Sequence, residues 1–265
     1  MKKFYIGYYN RIDLNNAIKK AVGIPNLIFL IGALLFVLIP VLLKDEIFSK
    51  KTDMSNVVFV RRDLGTHLIT GSAVYVGVNN HYLITAAHVV HGMEKGETCD
   101  IEFFQDPNNM DNKICAKARL EHKGNWDPQI DEFNSKNAGE DYALLAVINF
   151  DVKKYSKPCQ IATNLASVTV SDKISLEGYP GGAYFKTDGT INNVNGGAHK
   201  DPNFFVVSAG AWHGSSGGAL LDEHNNLLGI LTSGGIVVGE NAGQNFVLKI
   251  DHVLNKLKQH GFVIN

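Results

Sequence analysis

The chain is predicted to be all-β, preceded by one membrane-spanning helix and closed by a short C-terminal helix. Three observations predict this. Twenty-six glycines are scattered among short apolar runs, β-branched and aromatic residues flank turn-prone positions, and one long uninterrupted apolar stretch lies near the N-terminus. At 265 residues the chain holds one large or two small domains. It is 45% hydrophobic and 19% charged, with a formal net charge of −1. No acidic or basic block offers a surface to a polyanion, which argues against nucleic acid as a partner.

Residues 1–20 form a basic lead-in, and from Ala21 to Leu43 the only clearly polar residue is Asn26. As a helix, Leu27–Leu43 alone would run about 25 Å, and about 35 Å with its flank, enough to cross a bilayer. A soluble buried helix of this length keeps some polar face. A cleaved signal peptide fits less well, because the lead-in is long and KDEIFSKK follows where a small-residue cleavage site is expected. Residues 21–43 are therefore read as an uncleaved anchor in the lipid bilayer, and 44–55 as a polar tether. Lys2, Lys3, Arg11, Lys19 and Lys20 precede the span, and Lys44, Lys50, Lys51, Arg61 and Arg62 follow it, so flanking charge assigns no orientation.

Strand patterns begin after the tether. GSAVYVGVNNHYLITAAHVV reads as strand, turn at Val78-Asn79-Asn80, strand. TCDIEFF, KICAKARLEH, YALLAVIN, DKISLEGYP, NFFVVSA and LLGILTSG are further candidates. The polar stretch from Glu121 to Glu140 reads as a surface loop, and residues 151–160 as a connector between two halves. Ile250, Val253, Leu254 and Leu257 fall at helical intervals, predicting a helix over about 250–260. Cys99, Cys115 and Cys159 cannot all pair within one chain and form no CxxC motif. Cys99 and Cys115 fall on successive predicted strands, where a bridge needs facing side chains, a property that strand order does not fix.

Peptide cleavage by a serine needs an activated hydroxyl, a base, a group that orients the base, and backbone donors facing the developing oxyanion. Gly214-Ser215-Ser216-Gly217-Gly218 offers a serine in a turn whose glycines let amide N–H groups approach a reacting carbonyl. Taken alone, such a turn is more often only a turn. His88 closes LITAAHVV, placing an imidazole at a strand end, and Asp141 opens DYALLAV, placing an acid at the start of an apolar strand. Nine other histidines are present, and for any single one a structural role is the default.

TAAHVV, EDYALLAV, EGYPGG, GSSGGAL followed by LLGILTSGG, and NFVLKIDHV together resemble, in order, the signatures of trypsin-like serine peptidases, especially the bacterial HtrA-like branch. The resemblance covers roughly residues 56–258. It implies the chymotrypsin fold, two antiparallel six-stranded β-barrels over about 56–150 and 160–250, within a protease domain spanning 56–265. It implies Ser216 as nucleophile, His88 as general base and then acid, Asp141 as the group that fixes the imidazole, and the N–H groups of Gly214 and Ser216 as oxyanion donors. It implies no metal or cofactor.

The sequence departs from the family pattern in three places. Ser215 stands where zymogen-activated relatives carry an aspartate, and no activation cleavage sequence is evident. Gly210, then Ala211, occupy the base of the implied specificity pocket, which disfavours Arg or Lys and favours an apolar or small residue before the scissile bond. Ser233, Gly234 and Gly235 resemble the strand that pairs with substrate backbone, and His213 stands at the pocket mouth, where a solvent-facing role is the competing reading. No PDZ domain of the kind usual in HtrA-like enzymes is expected after the terminal helix.

The expectation is a single-pass membrane serine endopeptidase acting on polypeptides in quality control or regulatory processing, with its protease domain on the extracytoplasmic side. Its main rival is a catalytically silent protease-like scaffold that binds a protein partner. A surface adhesin or immune-evasion factor is the third reading, and only the loop from Glu121 to Glu140 offers it a binding surface.

Overall fold

The computed structural model describes residues 55–77, 79–104, 111–130, 135–196, 201–234 and 244–264, all within one compact unit, Asp53–Asn265. The expected anchor at 21–43 lies outside the described residues. Among those described, no helix is long and apolar enough to cross a membrane.

Six antiparallel strands close the first barrel: β1 (Val57–Asp63), β2 (Leu68–Gly77), β3 (Tyr82–Thr85), β4 (Thr98–Phe104), β5 (Lys113–Lys123) and β6 (Ala143–Ile148), in the order β1-β2-β3-β6-β5-β4. After a connector whose two-residue strand β7 (Gln160–Ile161) runs parallel to a later strand, the second barrel forms. Its strands are β8 (Lys173–Gly178), β9 (Phe185–Asn193), β10 (Phe204–Val207), β11 (Ala219–Asp222), β12 (Asn226–Gly234) and β13 (Asn245–Lys249). Their order is β11-β8-β9-β10-β13-β12, and the β11–β12 pairing closes the ring. This is the expected two-barrel chymotrypsin-like architecture. The short helix α1 (Ser135–Ala138) lies between β5 and β6, and α2 (Ile250–Gln259) ends the fold, burying Ile250, Val253 and Leu257.

The continuous apolar runs have a physical cause. Successive side chains of a strand point to opposite faces, and strands lying between the barrels bury both. On β2, Ala73 and Tyr75 fill the first barrel while Val74 and Val76 join the core shared with the second; on β6, Leu145 points inward and Leu144 joins the shared core. Leu144 is fully buried, so truncating it to alanine would cost about 2–5 kcal/mol.

Two expectations are refined. The predicted loop at Glu121 starts later, because β5 continues to Lys123, where His122 pairs with Leu144 and Lys123 with Ala143. All three cysteines are free. Cys99 pairs across the β4–β5 ladder with Ala118, and Cys115 with Glu102, so the two thiols occupy different rungs.

Candidate active site

His88 follows β3 in a single 3₁₀ turn, Ala87–Val90, whose Ala87, Val89 and Val90 are buried and anchor it to the first barrel. Asp141 sits just before β6, its side chain only 6% exposed, and its backbone N–H is held by the Ala138 carbonyl. Its Oδ2 lies 2.8 Å from His88 Nδ1, and its Oδ1 accepts the His88 backbone N–H at 2.9 Å. A carboxylate so placed keeps the proton on Nδ1, leaving Nε2 as the basic nitrogen. Trp126 packs against His88 and His91, its ring centroid 5.7 Å from that of the first and 5.6 Å from that of the second.

Ser216 lies between Gly214 (φ 98°) and Gly217 (φ 81°), backbone conformations that L side chains rarely adopt. Its carbonyl accepts the Ser72 N–H of β2 at 2.7 Å. A Cβ on Gly217 would stand 2.1 Å from the Ser72 carbonyl oxygen, 2.3 Å from Thr85 Oγ1 and 3.0 Å from the Ala86 nitrogen. The Ser216 loop thus lies directly on the end of β3, two residues before His88. Gly214 is equally constrained, since a Cβ there would come within 2.7 Å of the Tyr179 carbonyl oxygen. The His213 carbonyl accepts the Gly181 N–H at 2.9 Å. Across the trans peptide, the Gly214 N–H therefore points to the side of the loop away from Gly181.

A cavity of about 290 Å³ opens beside Ser216, lined by Ala211, Trp212, His213, Ser216, Leu231 and Gly234. His213 is exposed, its ring edge-on to Trp212. Ser233 is half-buried at the end of β12, opposite Phe246; Gly235 lies outside the described residues. Gly210 falls elsewhere. Its carbonyl accepts the Thr187 hydroxyl at 2.7 Å, and it lines a second cavity of about 400 Å³ behind the loop, with Leu176, Pro180, Phe185, Trp212 and Ser215.

Four residues of the site escape sequence reasoning. Ser72 and Thr85 are fully buried polar residues inside apolar strand runs, a signal visible in hindsight. Trp126 lies in what reads as a plain polar loop. Asn245, at the start of β13, donates its side-chain N–H to the Ala209 carbonyl and so holds the wall behind Gly234. Among the described residues no group of three or more His, Cys, Asp or Glu is arranged to hold a metal ion.

The fold is similar to that of Rv3671c from M. tuberculosis H37Rv, solved as a serine-to-alanine mutant in an inactive form. The two are 21% identical, with a TM-score of 0.53, over 78% of this chain and 88% of that one; at this identity the likeness speaks for the fold alone. The family model described as the trypsin-like peptidase domain matches residues 71–230, more than half of the sequence, and the chain belongs to that family.

Proposed function

We propose that the protein is a serine endopeptidase that hydrolyses polypeptides through Ser216, His88 and Asp141. The observation that carries this reading is the 2.8 Å contact between His88 Nδ1 and Asp141 Oδ2, with the Ser216 loop laid against the end of β3 immediately before His88. In the reaction, Ser216 Oγ attacks the scissile carbonyl carbon and its proton passes to His88 Nε2. The tetrahedral intermediate carries its negative charge towards the N–H groups of Gly214 and Ser216. Its collapse breaks the C–N bond as His88 gives the proton to the leaving amine. Water then attacks the acyl-enzyme, losing a proton to His88, and that proton returns to Ser216 as the acid product leaves. Asp141 holds the imidazole in this orientation and stabilises the imidazolium.

The cavity beside Ser216 supports an apolar or small residue before the scissile bond, because its described lining holds Ala211, Leu231 and Gly234 and no carboxylate. Ser233 and Gly234 would pair with substrate backbone. The apolar run at 21–43 supports tethering to a bilayer, with the protease domain on the extracytoplasmic side and work in quality control or regulatory processing. Retention in the membrane pellet after alkaline extraction, lost on deletion of 21–43, tests the tether.

Activity is tested by labelling with a fluorophosphonate probe. The wild type is expected to label and Ser216→Ala not to. A wild type that never labels, even with candidate peptides present, would replace this reading with that of a protease-like binding scaffold.

A further inference from the structure

We infer that Ser72 is the residue that holds the oxyanion-binding loop in its working conformation, a positioning role exerted from the first barrel on the second. The inference rests on the proposed peptidase reading and adds a residue to that site. A backbone N–H can face a reacting carbonyl only if the peptide plane that carries it is fixed, and a plane is fixed by its carbonyl partner. From His213 to Ser216 all four carbonyls are engaged. That of His213 takes the Gly181 N–H at 2.9 Å, that of Ser215 the Gly218 N–H at 2.8 Å, and that of Ser216 the Ser72 N–H at 2.7 Å. That of Gly214 accepts the Ser72 hydroxyl at 2.8 Å.

Ser72 therefore supplies two of the four anchors directly, and it controls a third. Its Oγ also accepts the Tyr179 N–H at 2.9 Å, which holds the turn from Tyr179 to Gly182 that presents Gly181 to His213. Its own carbonyl takes the Thr85 hydroxyl at 2.6 Å, linking the same residue to the strand end that leads into His88. Ser72 is 0% exposed, so water cannot replace these bonds one for one. Within the loop no side chain does this work. Among the described residues, the hydroxyl of Ser215 accepts the Trp212 N–H at 3.3 Å, inside the same turn, and bridges to no other element. The loop is thus fixed by the N–H and the hydroxyl of one residue reaching across from the other barrel, and substitution of Ser72 removes the hydroxyl's bonds while leaving the N–H in place.

The test compares the full-length wild type with Ser72→Ala, and with the near-isosteric Ser72→Cys. Turnover of an apolar peptide ester is measured per active site titrated with the fluorophosphonate. Expected is a kcat about 10- to 100-fold lower at nearly unchanged KM, below the full loss of one oxyanion donor, with a matching loss of affinity for a peptide boronate. A merely structural role would lower the titratable fraction and the Tm and leave kcat per site unchanged, and that result would overturn the inference. Amide hydrogen exchange of the peptide covering 210–218 gives a readout independent of activity. It should speed up at least about tenfold in either variant while the β4–β5 peptides stay as in wild type; unchanged exchange there would also overturn the inference. If Ser72→Ala fails to fold, Ser72→Cys is judged by the same criteria. A wild type that never labels, with Ser72 variants that still show the exchange change, would sink the peptidase reading and leave the positioning role standing.

Discussion

Asp141 grips His88 at two points, its Oδ1 on the backbone N–H at 2.9 Å and its Oδ2 on the ring Nδ1 at 2.8 Å. One bond sets where the turn carrying the imidazole sits, and the other sets which nitrogen is basic. The segment that carries Asp141 is also tied to the second barrel. Just ahead of it, the Gly139 carbonyl meets His252 Nε2 at 2.9 Å and the Glu140 carboxylate meets Lys256, both on α2 of the second barrel.

Asp141→Asn separates the two grips. The amide oxygen can still accept the His88 N–H, so the turn should stay in place, but an NH₂ facing Nδ1 selects the wrong tautomer. Turnover should fall about 10⁴-fold, as for the equivalent change in another serine protease, with unchanged circular dichroism. Steady-state kinetics on a peptide ester checks this; a loss below about tenfold would deny Asp141 its orienting role.

Ser216→Ala and His88→Ala should each lower turnover about a millionfold, and the double variant should be little worse, because the two groups act as one unit. Multiplicative losses would mean that they work independently. The residual rate above water should persist in all three, since oxyanion donors and binding remain.

Strands were legible in the sequence mainly where burial is two-sided, although β1, which buries Val57 and Phe59 on one face and Val58 and Val60 on the other, was not read as a strand. TCDIEFF coincides with β4, and the apolar runs of β2, β6 and β12 announce strands packed against two cores. β9 was not legible, because FKTDGTINN is largely exposed and buries only Ile191. The same contrast holds at the site. His88, Asp141 and Ser216 each carry a local motif, whereas the task of Ser72 depends on Gly214, 142 positions away. Trp126 carried no signal because loop composition does not say which side chain folds back over an imidazole. Gly210 and Ala211 are neighbours in sequence, yet Ala211 lines both cavities and Gly210 only the one behind the loop, a difference of loop face that residue order does not carry.

The three thiols should divide by burial. Desolvation pushes the thiols of Cys99 and Cys159 up to about 12, and a protonated, buried thiol is inert, while Cys115 is exposed on β5. Near pH 8, about one thiol per chain should react with a disulfide reagent in the native protein and all three after denaturation. Cys115→Ser should abolish the native reaction; fast reaction of a second thiol would mean that one of the two barrels opens readily.

Acid should weaken the fold through His122. Its ring lies tilted by 30° against that of His260, with 4.1 Å between centroids, and its Nε2 lies 3.5 Å from the Tyr142 hydroxyl. Burial, then the His260 charge and more weakly Lys95, hold its pKa below the usual histidine value, against an opposing pull from Glu140. The folded protein therefore resists a proton that the unfolded chain accepts near pH 6.5. The sign follows: stability is retained above that pH and is lost as pH falls through the ordinary histidine value towards the depressed one. Tm measured from about pH 8 down to about pH 5 should drop, and His122→Gln should flatten that drop even while it lowers Tm at the alkaline end by removing the ring packed against His260. Because His122 pairs with Leu144 on β6 and its partner His260 directly follows α2, the same titration bears on the segment holding Asp141. A His122→Gln variant whose Tm falls with acid as steeply as the wild type would place the acid sensitivity elsewhere.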